Sequence, residues 1–385
     1  MEPKTLKNIY FNLKERSGSH SPSIETLISE IGYNIIDIDA CFLSNPYATN
    51  LFHVELNKLY KNKKKWNRII EFYPPQNQVV AKHISKVSGV DLENIVVGNG
   101  AIEIIQMLLH NYIDTNICIP TPTFSPYYEY IKDDIKIFYF KLKKENNFEL
   151  DLDELNSFIQ KNNIKNIVLI NPNNPTGTYI NKLDLLSFCN KNKHLSNIII
   201  DESFIEFSYE DNLKEITLSK FNNVHNNLTI VKSMSKDFGI AGLRCGYGIT
   251  NKTKVKELLK NGYLWNISGL SNFFFETFSN DNFQKKYLEV KTKYVNETIS
   301  FFEKLEAITC NSNRLKVYKS KGNFVLIEIL KDYNSGEFMI ELLSKYGIYT
   351  RDCSDKIGLD GEFIRLSARN EAENIKMIKA ISSYA

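Results

Sequence analysis

Between about Asp91 and Thr250, short apolar runs alternate with longer stretches whose apolar positions recur at helical spacing. IVVG (Ile95 to Gly98), NICIP (Asn116 to Pro120), IKIFYFKL (Ile135 to Leu142), NIVLI (Asn166 to Ile170), NIIID (Asn197 to Asp201), LTIV (Leu228 to Val231) and CGYGI (Cys245 to Ile249) predict strands. Between them AIEIIQMLLH (Ala101 to His110), DLDELNSFIQKN (Asp151 to Asn162) and LDLLSFCNKN (Leu183 to Asn192) predict helices, the second opened by acidic residues that suit a helix N-terminus. A strand that is apolar along its whole length is buried on both faces. The pattern therefore predicts an α/β architecture with a mostly parallel central sheet flanked by helices.

After Leu264 the texture changes. One long helical stretch from about Ser271 to Leu305 precedes a strand at FVLIEI (Phe324 to Ile329), a helix around GEFMIELLSKYG, a strand at IYTR (Ile348 to Arg351), a strand at FIRLSA (Phe363 to Ala368) and an amphipathic helix, EAENIKMIKAISS. These elements predict a smaller α+β domain of residues 1–43 and 271–385, beside a large domain of residues 44–270.

Composition narrows the function classes. The 385 residues are 43% hydrophobic and 24% charged, the balance of a globular protein, and the net charge of +3 gives no support to a nucleic-acid or membrane-surface role. The basic cluster NKKKWNR (Asn62 to Arg68) reads as a solvated loop or helix face. Six cysteines without paired spacing read as free thiols, and six histidines without ligand spacing predict no metal. With no signal-peptide pattern and no long apolar window, a cytoplasmic enzyme is the expectation.

The distinctive polar motifs GNG, PTF, NPNNPTG, DES and SMSK each follow an apolar strand, and in parallel sheets ligands gather at the carboxyl ends of the strands. GNGAIE (Gly98 to Glu103) turns from strand to helix, so its N–H groups offer a phosphate seat, yet it lacks the third glycine of a dinucleotide fingerprint and the Lys-Ser/Thr of a P-loop. Asp201 ends a buried strand, where a carboxylate caps a helix or pairs with a cation such as a cofactor ring nitrogen. SMSKDFGIAGLRCGYG (Ser233 to Gly248) can cradle a nucleotide phosphate, carry a covalently attached cofactor on Lys236, or simply turn the chain.

Taken in order, GNGAIE, PTF, NPNNPTG, DES, SMSK with Arg244 eight residues later, and FIRLSA resemble the fold type I pyridoxal-phosphate enzymes of the class I/II aminotransferase superfamily over nearly the whole chain. The resemblance implies pyridoxal 5'-phosphate as cofactor, with Lys236 as its Schiff-base lysine and proton shuttle. It places Asp201 on the pyridine nitrogen, Asn174 on the 3-oxygen and Phe124 on the ring face. Ser233, Ser235, Arg244 and the backbone of Gly100, Ala101 and Ile102 would hold the phosphate. Tyr73 in FYPP matches a tyrosine that reaches the neighbouring subunit's cofactor, which implies a homodimer with shared active sites. Arg365 matches the arginine for the substrate α-carboxylate, and Asn45 in SNPYATN either faces the substrate or forms a turn. Trp265 in LWNISG reads as packing.

Within the superfamily the chain resembles histidinol-phosphate aminotransferases and threonine-phosphate decarboxylases, both of which use a further arginine for a substrate phosphate, at the position of Arg351 in YTRDCS. RDCS, and Phe204 where aminotransferases usually carry tyrosine, point to the decarboxylase branch. The resemblance thus implies decarboxylation of L-threonine or L-serine O-phosphate to an amino-alcohol phosphate. Transamination of a phosphorylated substrate of histidinol-phosphate type is the alternative. The Cα bond held perpendicular to the cofactor ring is the one that breaks, so the torsion set by Arg365 and Arg351 decides between them. A catalytically silent binding protein is disfavoured by the retained lysine, aspartate, asparagine and arginine.

Overall fold

The computed structural model describes residues 3–18, 20–208, 216–221 and 225–385. Its strands are β1 (Ile38–Asp39), β2 (Ile95–Asn99), β3 (Asn116–Thr121), β4 (Lys136–Lys141), β5 (Asn166–Ile170), β6 (Asn197–Asp201), β7 (Leu228–Ser233), β8 (Cys245–Ile249), β9 (Leu315–Val317), β10 (Phe324–Ile329), β11 (Ile348–Tyr349), β12 (Arg351–Asp352) and β13 (Glu362–Ser367). A seven-stranded sheet has the order β2-β8-β7-β6-β5-β3-β4, a four-stranded sheet the order β12-β13-β10-β9, and β1 pairs with β11.

In the large sheet β4, β3, β5, β6 and β7 are parallel, whereas β8 runs antiparallel to both β7 and β2. Alternate residues of one strand enter two different cores: Ile167 and Leu169 pack on one face, Val168 and Ile170 on the other, and Ile198 and Ile200 lie opposite Ile199 in the same way. This two-sided burial is why the strands read as unbroken apolar runs. β4, at one edge, is exposed or half-buried along its whole length.

The reversal of β8 positions the site. Its first residue, Cys245, and Arg244 before it come to the same sheet edge where β2, β5, β6 and β7 end. Gly246 makes that approach possible, since a Cβ there would stand 2.4 Å from Ala101 N and 2.6 Å from Gly100 C.

Three expectations change. The stretch from Ser271 to Leu305 is two helices, Gly269–Phe278 and Asp281–Thr309, because Asn280 caps the second by accepting N–H bonds from Asn282 and Phe283. IYTR divides between β11, paired with β1, and β12, paired with β13, so Arg351 faces a different sheet from Tyr349. Trp265 is 56% exposed with φ +53°, its ring 6.0 Å from that of Tyr73, so it does not pack in a core.

The helix Gly269–Phe278 supplies the aromatic part of the core beneath the sheet. Phe274 is fully buried, with ring centroids 5.5 Å from Phe52, 5.2 Å from Phe238 and 5.5 Å from Phe275. Phe274→Ala removes all three contacts and leaves a cavity. It is expected to cost about 3–5 kcal/mol, read as a lower urea midpoint with an unchanged slope.

Candidate active site

A cavity of about 270 Å³ opens at the carboxyl edge of the large sheet, where it meets the four-stranded sheet. Ala101, Ile102, Phe124, Asn174, Asp201, Ser233, Ser235, Lys236, Arg244, Arg351 and Arg365 all line it. Residues from seven separate stretches of sequence, singled out by motif, thus converge on one space.

One end is an anion seat. The helix Ala101–Tyr112 begins after Gly100 (φ +81°) with no side-chain cap, so its first N–H groups are left for a ligand. Ser233, Ser235 and Arg244 surround that start, and a Cβ on Gly100 would stand 2.4 Å from Arg244 Nη2. Arg244 holds a left-handed backbone (φ +58°) and donates Nη1 to the Ala241 carbonyl at 3.0 Å.

At the floor, Asp201 is 3% exposed, accepting from Tyr127 Oη at 2.9 Å and from Ser203 N at 2.8 Å. Burial pushes its carboxyl above the usual range, and the two bonds from Ser203 and Tyr127 oppose the rise. A buried carboxylate with two neutral donors still lacks a cation, which a protonated ring nitrogen would supply. Lys236, which follows β7 by three residues, is lowered to about 8 by burial and then by the positive Arg365 and Arg244.

Arg365, at the centre of β13, is 8% exposed and donates Nη1 to Asn174 Oδ1 and Nη2 to the Cys41 carbonyl, both at 2.7 Å. Its Nε is buried without a partner, a donor left for an incoming carboxylate. With Asn174 Oδ1 engaged by Arg365, the Asn174 amide nitrogen is the atom left to donate toward a ligand. Phe204 also lines the cavity, edge-on to Phe324 at 5.0 Å.

Three expected residues are not in the cavity wall: Gly100, which precedes the helix start, Asn45 and Tyr73. Asn45 is fully buried, its Oδ1 capping the helix Pro46–Lys61 through the N–H groups of Tyr47 and Ala48, while its Nδ2 has no hydrogen-bond partner among the described residues. Tyr73 is 88% exposed and does not line the cavity. Conversely, His20, Ser21 and Lys356 line it, and Tyr127 supports Asp201, though no motif announced them; Ser203, the serine of DES, lines it as well. Lys356 follows Arg351 so closely that the run RDCSDK could have suggested it. His20 comes from an N-terminal stretch with no motif.

The family model for aminotransferase class I and II matches residues 45–381. The chain belongs to that family. It is 46% identical over 371 residues to a Campylobacter jejuni L-serine phosphate decarboxylase, covering 96% of this chain and 94% of that one. It is 36% identical over 327 residues to a histidinol-phosphate aminotransferase of Methanococcus aeolicus, 83% of each chain. A solved decarboxylase structure from Sulfurospirillum multivorans superposes with TM-score 0.89 at 35% identity, covering 100% of this chain and 99% of that one. The fold is therefore that of the fold type I pyridoxal-phosphate enzymes, and pyridoxal 5'-phosphate is the family's cofactor.

The residues present fit that group: an uncapped helix start with Arg244 and two serines for a phosphate, a buried Asp201 for a ring nitrogen, and Lys236 within the same cavity. Gly246→Ala tests the fit without touching any of these side chains. Its Cβ would meet backbone at Ala101 and Gly100, which cannot swing aside, so the helix start must shift. Purified Gly246→Ala is expected to retain at least about tenfold less cofactor by visible absorbance than wild type, consistent with losing one charge-assisted bond or more.

Proposed function

We propose that the protein removes CO2 from an O-phosphorylated α-amino acid, L-serine phosphate or L-threonine phosphate, leaving an amino-alcohol phosphate. The observation that carries this reading is a second cationic seat in the same cavity. Opposite the Arg244 end stand Arg351, Lys356 and Arg365, all lining the space. Three cations match a substrate with one carboxylate and a phosphate close to dianionic. A plain amino acid would leave Arg351 and Lys356 with no substrate anion to meet. The similarity to L-serine phosphate decarboxylases at 46% and 38% identity supports the same substrate class.

The roles then follow from position. Arg244, Ser233, Ser235 and the N–H groups after Gly100 hold the cofactor phosphate, Phe124 covers the ring face, Asp201 accepts from the ring nitrogen and Asn174 donates to the 3-oxygen. Arg351 and Lys356 anchor the substrate phosphate and Arg365 steadies the carboxylate through its free Nε–H. When bound, pyridoxal 5'-phosphate supplies a ring into which the electron pair left on Cα is drawn as CO2 departs. Lys236 Nζ, at about 8, still carries its proton at neutral pH and delivers it to Cα. The balance is one proton consumed and one CO2 released. Phe204 offers no hydroxyl to this cavity, so the 3-oxygen has Asn174 as its donor.

The same cations would bind a phosphorylated substrate for transamination, and the 36% identity to a histidinol-phosphate aminotransferase keeps that outcome in the test. Holoenzyme incubated with L-serine phosphate or L-threonine phosphate is expected to release CO2 stoichiometrically with amino-alcohol phosphate. Amino transfer to a 2-oxo acid with no CO2 would overturn the reading.

The working form is read as a cytoplasmic homodimer. Ile70, Phe72, Tyr73, Leu264 and Trp265 are exposed at 70%, 58%, 88%, 44% and 56%. Exposed apolar and aromatic side chains from two stretches, which meet where the Tyr73 and Trp265 rings stand 6.0 Å apart, support burial against a second copy, which would bring Tyr73 to the neighbouring cofactor. Five of six free cysteines are buried, which suits a reducing compartment. Light scattering is expected to give twice the chain mass, and Tyr73→Asp to shift it toward one; a wild-type monomer with full activity would refute the shared site.

A further inference from the structure

The cationic seat for the substrate phosphate is itself held together by a carboxylate that no motif singles out. Asp355 places both oxygens on Arg351 Nη2, at 2.8 and 2.7 Å, and Oδ2 also meets Lys14 Nζ at 3.1 Å. Arg351 Nη1 donates to the Asp352 carbonyl, and Lys356, the next residue, reaches Ser125 Oγ at 3.2 Å. Lys14 comes from the N-terminal helix Pro3–Arg16 and also donates to the His20 carbonyl at 3.3 Å. The one carboxylate therefore ties the arginine of β12 to the segment that carries His20 and Ser21 to the cavity wall.

We infer that Asp355 is a positioning and specificity-determining residue: it is the built-in counter-ion that lets Lys14, Arg351 and Lys356 stand charged side by side before the substrate phosphate arrives. The inference rests on the phosphate-subsite reading given above. Side-chain exposures of 6% for Arg351 and 11% for Lys14 leave water little part in separating these cations. Burial and the neighbouring Arg351 lower Lys14 and bring Lys356 to about 8, and Asp355 opposes both shifts. Burial raises the Asp355 carboxyl, but Arg351, Lys356 and Lys14 more than offset it, so it is ionised across the neutral range. The other groups facing this cluster include His20, lowered by burial, Tyr128 and Glu129 from the short helix Pro126–Glu129, Asp352 from β12, Cys353 after it, Cys41, Arg365 and Tyr10.

The sign of the effect follows. Without Asp355 the lysines release their protons at lower pH, the seat discharges, and a dianion binds weakly where it formerly bound well. With Asp355 present the seat carries three positive charges and one negative, a net of plus two that matches a phosphate dianion. A side chain ending in a carboxylate would leave one charge uncompensated, which is the sense in which Asp355 sets specificity.

The test uses holoenzyme, with KM for L-serine phosphate and the inhibition constant of inorganic phosphate measured from about pH 6 to about pH 9. In Asp355→Asn the rise of both constants is expected to begin roughly one pH unit lower than in wild type, the change falling on KM and not kcat, with Asp355→Glu restoring the wild-type profile. Superimposable profiles for wild type and Asp355→Asn would overturn the inference. Should Asp355→Asn fail to load cofactor, Lys356→Arg decides: an arginine keeps its proton, so the alkaline rise should disappear, and its persistence is equally fatal. Wild type that phosphate inhibits but that releases no CO2 would refute the reaction assigned above and leave the inhibition profiles to judge Asp355. Phosphate without any effect on wild type would remove the subsite, and this inference with it.

Discussion

Five cationic side chains, Lys236, Arg244, Arg351, Lys356 and Arg365, line one cavity of about 270 Å³ whose floor holds a single fully buried carboxylate, Asp201. Like charges at this density repel strongly where water is excluded. Burial first, and then the neighbouring cations, bring Lys236 and Lys356 to about 8 and hold Arg365 below the ordinary guanidinium value, whereas Arg351 is raised, Cys353 and Asp355 outweighing its burial. Burial raises Asp201. The site is therefore strained until anions and a ring cation enter it, and anything that supplies them stabilises the folded chain by mass action.

At the Arg244 end, backbone geometry rather than charge pairing holds the charge in place. The antiparallel return of β8 puts Arg244 beside the start of the helix Ala101–Tyr112, and only glycine at 100 and 246 lets the strands and helix approach so closely. The four-stranded sheet contributes in a different way. Arg365 on β13 donates to Asn174, which follows β5 of the large sheet, and to Cys41, which follows β1. One guanidinium thus fixes the relation of two sheets and the N-terminal segment at the point where substrate and cofactor would meet. A shift of either sheet moves the carboxylate donor and the 3-oxygen donor together.

Strand existence was legible because burial on both faces of a parallel sheet leaves an apolar run with no competing period, as in NIVLI and NIIID. Helix boundaries were less so: the break at Asn280 is a single capping side chain inside a continuous amphipathic pattern. The cofactor end was legible because its parts lie in short motifs, where turn geometry forces residue types into fixed spacing. Tyr127 escaped notice since its task, one hydrogen bond to Asp201 across the sheet, has no local signature. Asn45 was ambiguous for the reverse reason, as Asn-Pro serves equally as a cap, and the chain uses its Oδ1 for one.

The substrate end was hardest to read because it is assembled from the far termini. His20 and Lys14 lie more than three hundred residues from Arg351 and Asp355, and Tyr349 Oη donates to the Pro22 carbonyl at 2.8 Å to hold that junction. Sequence proximity could suggest Lys356, and charge periodicity could not suggest Lys14, since a lysine near the end of an amphipathic helix is normally a solvated cap of the dipole. Here it is nine-tenths buried and aimed at a carboxylate. The cofactor end is thus built from local motifs on the large sheet, while the end proposed for the substrate phosphate is built from charge pairs between distant parts of the chain. Relatives sharing every cofactor residue can therefore diverge in reaction by changes at a few positions around Arg351, without disturbing the edge that binds the cofactor.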